Sequence, residues 1–159
     1  MTTTDVLLNQ FNSSWKMVQQ AIENSPQELW PKTTNDWTFS YVVYHLIETA
    51  EFYCRSMPEG MEWGKKAGIN WETDSEIAKR EKIAEISKED CLNYLKEMED
   101  RLAGILAAVN ESELLEKDGF HWFSSKFEKM LYLLRHNMHH IGELNKALRD
   151  CDGDRIKWL

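Results

Sequence analysis

The chain has 159 residues, 42% hydrophobic and 29% charged, with a formal net charge of −8. That length suits one domain around a single core; the negative charge excludes a generic nucleic-acid surface, which draws its affinity from clustered Lys and Arg; and no apolar run approaches the roughly 20 residues of a membrane span. Cys54, Cys91 and Cys151 are odd in number and widely spaced, which makes neither a disulfide framework nor a thiolate metal cluster, and with no signal sequence at Met1-Thr2-Thr3-Thr4-Asp5 the expectation is a cytoplasmic protein.

A first helix is expected from Asp5 to about Glu23, where Leu7, Leu8, Phe11, Trp15, Val18 and Ile22 recur at spacings of three and four. Ser25-Pro26, Pro31 and Thr33-Thr34-Asn35-Asp36 form a connection, after which Thr38 or Asp36 caps a second helix running to about Arg55. Its apolar members are Phe39, Val42, Val43, Leu46, Ala50, Phe52 and Tyr53, and it carries His45. Pro58, Gly60, Gly64 and Gly68 then interrupt regular structure, while Met61, Trp63, Ile69 and Trp71 supply enough apolar area for an ordered loop that packs back on the body. Asp74 to Ala84 has the composition of a short helix with weak amphipathicity. The densest basic pairs, Lys65-Lys66 and Lys79-Arg80, are flanked by glutamates and read as solvated surface.

Ser87-Lys88-Glu89-Asp90 resembles a capping box and opens a third long helix, with Cys91, Tyr94, Leu95, Met98, Leu102, Ile105, Leu106 and Val109 inward. A second connection, Asn110 to about Ser124, contains Asp118-Gly119 and the aromatic run Phe120-His121-Trp122-Phe123. Ser124 or Ser125 caps the fourth long helix, which places Phe127, Met130, Leu131, Leu134, Met138, Ile141, Leu144 and Leu148 inward and ends near Arg149. Four long amphipathic helices without an alternating strand predict an all-α chain folded as an antiparallel or mixed four-helix bundle.

Three of the five histidines lie in Arg135-His136-Asn137-Met138-His139-His140-Ile141-Gly142-Glu143-Leu144. At about 100° per residue, His140 falls near 40° and Glu143 near −20° from His136, a stripe at the margin of the apolar arc. His139, near −60° on the same wheel, turns toward the polar side. His45 sits at a core margin of the second helix and is the natural third ligand if helices two and four are neighbours. Neutral imidazole binds zinc, nickel, copper and ferrous iron, and three such ligands leave coordination positions open for water or substrate. The plain alternative is a set of core-edge histidines in ordinary hydrogen bonds, and the His-x-x-x-His pair alone leaves both open. Glu143, on the stripe, is the carboxylate placed to orient an imidazole or move a proton, whereas Glu48 reads as a solvated helix residue. The chain has no Glu-x-x-His pair, which argues against a ferritin-like di-iron site. Trp37, and Trp122 with Phe123, either line one mouth of the site or pack as core and loop aromatics.

The Trp37-Thr38 helix start followed by His45, together with Leu133-Leu134-Arg135-His136-Asn137-Met138-His139-His140-Ile141-Gly142-Glu143-Leu144-Asn145 and the later Leu148-Arg149, resembles the DinB superfamily of small four-helix metal-binding proteins over essentially the whole chain. The resemblance implies one domain over residues 1–159, an unusual bundle connectivity with a long connection between helices two and three, and frequent homodimers. It also implies a divalent metal, zinc or nickel, held by His45, His136 and His140. Some relatives are transferases that join a low-molecular-weight thiol to an electrophile, or isomerases and hydrolases that use such thiols. The function it implies is therefore a metal-dependent thiol transferase or hydrolase acting on a small molecule, with the thiol as cosubstrate and Glu143 as proton carrier. The alternative is a non-catalytic metal-binding or stress-related binding module. Ile141-Gly142-Glu143 departs from the basic residue, Gly and Gln that commonly follow the second histidine in this family, so no role of that basic residue carries over. The segment Pro58 to Ile86 looks like a family-variable region shaping a private substrate pocket.

Overall fold

Every long helix begins at a hydroxyl cap. In the computed structural model, which describes residues 1–34 and 37–159, α1 (Thr3–Asn24) opens with Thr2 accepting the Asp5 N–H at 3.1 Å while the Asp5 carboxylate accepts the Thr2 N–H at 2.7 Å. α2 (Phe39–Tyr53) is capped by Thr38, whose hydroxyl accepts the Tyr41 N–H at 3.2 Å; Asp36, the other expected cap, lies outside the described residues. A 3-10 turn at Lys65–Ala67 and α3 (Glu76–Glu85) follow. Ser87 caps α4 (Lys88–Ala108), a single turn forms α5 (Glu111–Leu114), and Ser125 caps α6 (Lys126–Asp150). Such caps satisfy N–H groups that the first turn of a helix leaves without partners.

α1 packs against α4 and α6, and α2 packs against the same two helices. Consecutive long helices α1 and α2 therefore stand on one diagonal of the bundle, and α4 and α6 on the other. Contacts between the ends give the directions. Thr3 bonds Glu111, just past the end of α4, and Lys88 bonds the Ser25 carbonyl, so α1 and α4 are antiparallel. Asn24 and Gln20 bond the backbone of residues 154, 155 and 157, so α1 and α6 run the same way. Tyr44 packs on Tyr94, while Glu51 faces Arg101, so α2 and α4 are parallel. Two parallel helices cannot be joined by a tight turn: the chain must travel back along the length of α2, about 22 Å at 1.5 Å per residue. Residues 54–87 make that return and fold against the outer side of α2.

The interior is filled by Phe11, Trp15, Val18 and Ile22 of α1, Leu46, Ile47 and Ala50 of α2, Met98 and Leu102 of α4, and Leu133, Ile141, Leu144 and Leu148 of α6, each at most 2% exposed. On α6 one residue expected inward is not: Leu131 is 44% exposed, while Leu133, on the other side of the helix, is fully buried. α2 is buried on almost every side, because bundle and returning segment cover opposite faces. The entry into α6 is held by Lys129, whose buried ammonium pairs with Asp118 and donates to the Arg55 carbonyl at 2.8 Å, joining the last connection to the end of α2. Among the described residues no helix is long and apolar enough to cross a membrane.

Candidate metal centre

Because α2 and α6 are adjacent and antiparallel, Tyr53 meets Tyr132 while, about two turns away, His45 meets His136 and His140. The i, i+4 spacing on α6 brings the His136 and His140 imidazoles edge to face, with ring centres 4.5 Å apart. All three Nε2 atoms turn to one point: His136 Nε2 lies 3.3 Å from His45 Nε2 and 3.1 Å from His140 Nε2. The ligand atoms of the three residues lie within 4.8 Å of one another.

The protonation pattern follows from the surroundings. His140 Nδ1 lies 2.6 Å from Glu143 Oε2, and an ionised carboxylate only accepts, so the imidazole carries its proton on Nδ1 and points a lone pair from Nε2 into the cluster. Burial disfavours the imidazolium form at all three sites and the mutual proximity of the rings adds to it, moving His45 down to about 4 and His136 down to about 3; His140 is also lowered, by burial first. Three neutral imidazoles with convergent nitrogens form a donor set that fits a metal ion, and the same groups packed this closely would repel one another if protonated. His136 Nδ1 and both amide atoms of Asn137, which is fully buried, have no hydrogen-bond partner among the described residues. The thiols stand elsewhere: Cys54 and Cys91 are buried, their pKa values pushed up to about 11 and about 12 by burial.

Glu143 stands behind His140, on the far side of its ring from the cluster, and its other oxygen lies 3.6 Å from the exposed His139 Nε2. His139, His140 and Glu143 thus form a second, more open group of metal-ligating side chains, but Glu143 Oε2 is already engaged by His140 Nδ1. His121 is exposed and packs on Trp122.

One flank of the cluster faces a cavity of about 1020 Å³, lined by residues of the connection before α2, of α2 itself, of the returning segment and of α3. Trp37 stands edge-on to His45 with ring centres 4.9 Å apart, and Tyr41 lies between Trp37 and Trp71. Trp37 therefore lines the mouth as one expectation had it. Trp122 and Phe123 do not: they pack beside Phe120 and Tyr53, at the opposite end of α2.

Two readings of charged residues are corrected here. Glu48 is not solvated; it is 2% exposed in the cavity wall, and its Oε1 accepts the Tyr44 hydroxyl at 2.9 Å and the Gly64 N–H at 2.6 Å. Burial raises its pKa against the lowering effect of those two donors. Lys79 is not on open surface either: its side chain is 14% exposed, 5.6 Å from the Trp71 ring centre, and it lines the cavity with Arg80. Lys65 and Lys66, by contrast, are exposed, each in an ion pair with a glutamate. Glu48 was detectable only as an acid three residues from His45, a spacing shared with many surface glutamates.

The family model of the DinB superfamily matches residues 10–144, which include α2 and all three histidines of α6. No curated protein and no solved structure matches the chain. With a family match over most of its length, an all-helical bundle and three histidines gathered between α2 and α6, the chain belongs to the DinB superfamily.

Proposed function

We propose that the protein is a metal-dependent enzyme, a thiol transferase or hydrolase, in which His45, His136 and His140 hold a divalent ion, zinc or nickel, and a small-molecule substrate occupies the adjoining cavity. The observation that carries this reading is the convergence of three neutral Nε2 donors beside a large cavity, with no fourth protein ligand in the same group among the described residues. A structural zinc site is ordinarily closed by four protein ligands, whereas a catalytic one keeps a position open. When bound, the ion supplies Lewis acidity that favours the deprotonated form of water or a thiol at neutral pH.

The chain's own groups divide the remaining tasks. Glu143 accepts the His140 Nδ1 proton and so fixes the tautomer and orientation of that ligand. Trp37, Tyr41 and Trp71 wall the cavity beside His45 with aromatic surface. Glu48, held by Tyr44 and the Gly64 N–H, places a carboxyl whose pKa is raised by burial on the cavity wall, within the space a substrate would fill.

The test is metal content by elemental mass spectrometry on tag-free protein, followed by a screen of thiols paired with electrophiles. Near-stoichiometric metal in the wild type, lost in a folded His45→Ala/His136→Ala variant, with thiol and electrophile consumed together or the electrophile hydrolysed, is the expected result. Metal without turnover across the panel overturns the enzyme reading in favour of a non-catalytic metal-binding module; no metal after reloading overturns both.

A further inference from the structure

The cavity over His45 has two unlike ends. At one, Trp37 and Tyr41 pack around His45. At the other, reached from Tyr41 through Trp71, α3 brings Lys79 and Arg80 into the wall. In a chain of net charge −8, two adjacent cations face an aromatic cavity whose wall, among the described residues, holds only two acids, Glu48 and Glu76. Acids share the wall, but neither cancels them. Glu48 has one oxygen occupied by two donors and is buried, with a raised pKa. Glu76 pairs with Lys79 at 2.8 Å but its side chain is 79% exposed, against 14% for Lys79; an ion pair with one partner in water is weak and readily exchanged. Arg80 makes no ion pair among the described residues, and its planar guanidinium suits bidentate binding of a carboxylate or similar anion.

We propose that this cavity selects a small molecule with a flat aromatic or conjugated body and an anionic group at the end remote from the histidines, the anion bound by Lys79 and Arg80 and the body lying against Trp71 and Tyr41. The inference deepens the proposed function, resting on it for the reactive end, and assigns to α3 the choice of substrate. Tryptophan and tyrosine faces give area and orientation to a flat body, while the buried stem of Lys79 places a cation where water is scarce and a charge pair is worth more.

The probes are 2-naphthoate, the neutral 2-naphthalenemethanol and the cationic 2-naphthylmethylammonium, titrated by calorimetry into the full chain, both as purified and after chelation and dialysis. Naphthoate is expected to bind at least tenfold more tightly than the alcohol, with the preference shrinking as salt is added and the cation weakest. Lys79→Gln/Arg80→Gln should bring naphthoate down to the affinity of the alcohol while leaving the alcohol unchanged, which also shows that the cavity is intact; Arg80→Lys should keep part of the preference. Equal binding of acid and alcohol, no binding of either, or a preference that survives in the double variant overturns the proposal. Because the comparison is repeated without metal, a naphthoate preference in a protein that holds no ion removes only the enzyme reading, and metal loading without that preference removes only this one.

Discussion

Glu48 accepts the backbone N–H of Gly64, sixteen residues further along the chain, at 2.6 Å, and this bond pins the returning segment to the helix that carries His45. Gly64 is the residue that permits it. Its φ is +82°, and a Cβ there would meet Ile69 Cβ, the Ile69 carbonyl and Trp71 Nε1 at 2.8 Å. Gly64→Ala should therefore lose about 1–2 kcal/mol for the left-handed backbone alone, and more from displacing Trp71. Acrylamide quenching of tryptophan should rise with little loss of helical circular dichroism; unchanged quenching would show that the segment does not depend on this turn.

Glu48 itself separates charge from hydrogen bonding. Glu48→Gln keeps an oxygen acceptor for Tyr44 and Gly64, whereas Glu48→Leu leaves both donors without one and should cost about 1–3 kcal/mol. A carboxyl whose pKa is raised on folding adds stability below its ordinary value and loses it as pH rises through the folded value. The glutamine variant should thus gain on the wild type as pH is raised from 4.5 to 8. Chemical denaturation at both pH values measures the difference, and a constant difference would contradict the burial argument.

The histidines have the opposite sign. In metal-free protein, His45 at about 4 and His136 at about 3 bind protons less readily folded than unfolded. Their contribution is full above the unfolded value near 6.5 and falls as pH drops toward the folded values. Between pH 7 and 5 the metal-free wild type should lose up to about 4 kcal/mol, or roughly 8–16 °C in Tm for a chain of this size. His45→Ala/His136→Ala should flatten the profile; an equally steep profile in the variant would assign the acid sensitivity to other groups.

Glu143 is 35% exposed at its side chain and, among the described residues, bonds the cluster through His140 Nδ1. Glu143→Gln should lower metal affinity about 10–100-fold, as loss of a ligand's hydrogen-bonded carboxylate does, with Tm of the metal-free protein changed by no more than a few degrees. Competition against a chromophoric chelator gives the affinity, and a variant that binds metal like the wild type would leave Glu143 without an orienting role.

Lys129 and Asp118 are 3% and 9% exposed at their side chains, so removal of one partner strands the other away from water. Lys129→Ala should cost about 3–5 kcal/mol, measured by urea denaturation. A loss below about 1 kcal/mol, the range of exposed pairs, would show that water reaches Asp118.

The helices were legible because each level of the sequence agreed: Thr2, Thr38, Ser87 and Ser125 cap them, and apolar residues at three- and four-residue spacing define their inner faces. The pairing of His136 with His140 follows from helical geometry alone. Their meeting with His45 does not, since it depends on which helices are neighbours, and here α1 and α2 sit on one diagonal and α4 and α6 on the other. Glu48 and Lys79 were misplaced for a related reason. Glu48 lies on a helix face that would be wet in a bare bundle and is covered by residues 54–87, whose path no periodicity encodes; Lys79 belongs to that segment, which turns it against Trp71. Leu131 faces outward because it stands about 200° from the buried Leu133 on the helix, so the two cannot share the inward face.

The parallel course of α2 and α4 obliges the chain to make a long return, and that return forms the outer wall of the cavity. The three histidines belong to the bundle, while Trp71, Lys79 and Arg80 belong to the return. The histidine cluster and the shape of the opposite wall can consequently diverge under separate selection: replacing the stretch between α2 and α4 would redraw the cavity while leaving the histidine floor as it was. A detour forced by topology becomes the part of the molecule freest to diversify.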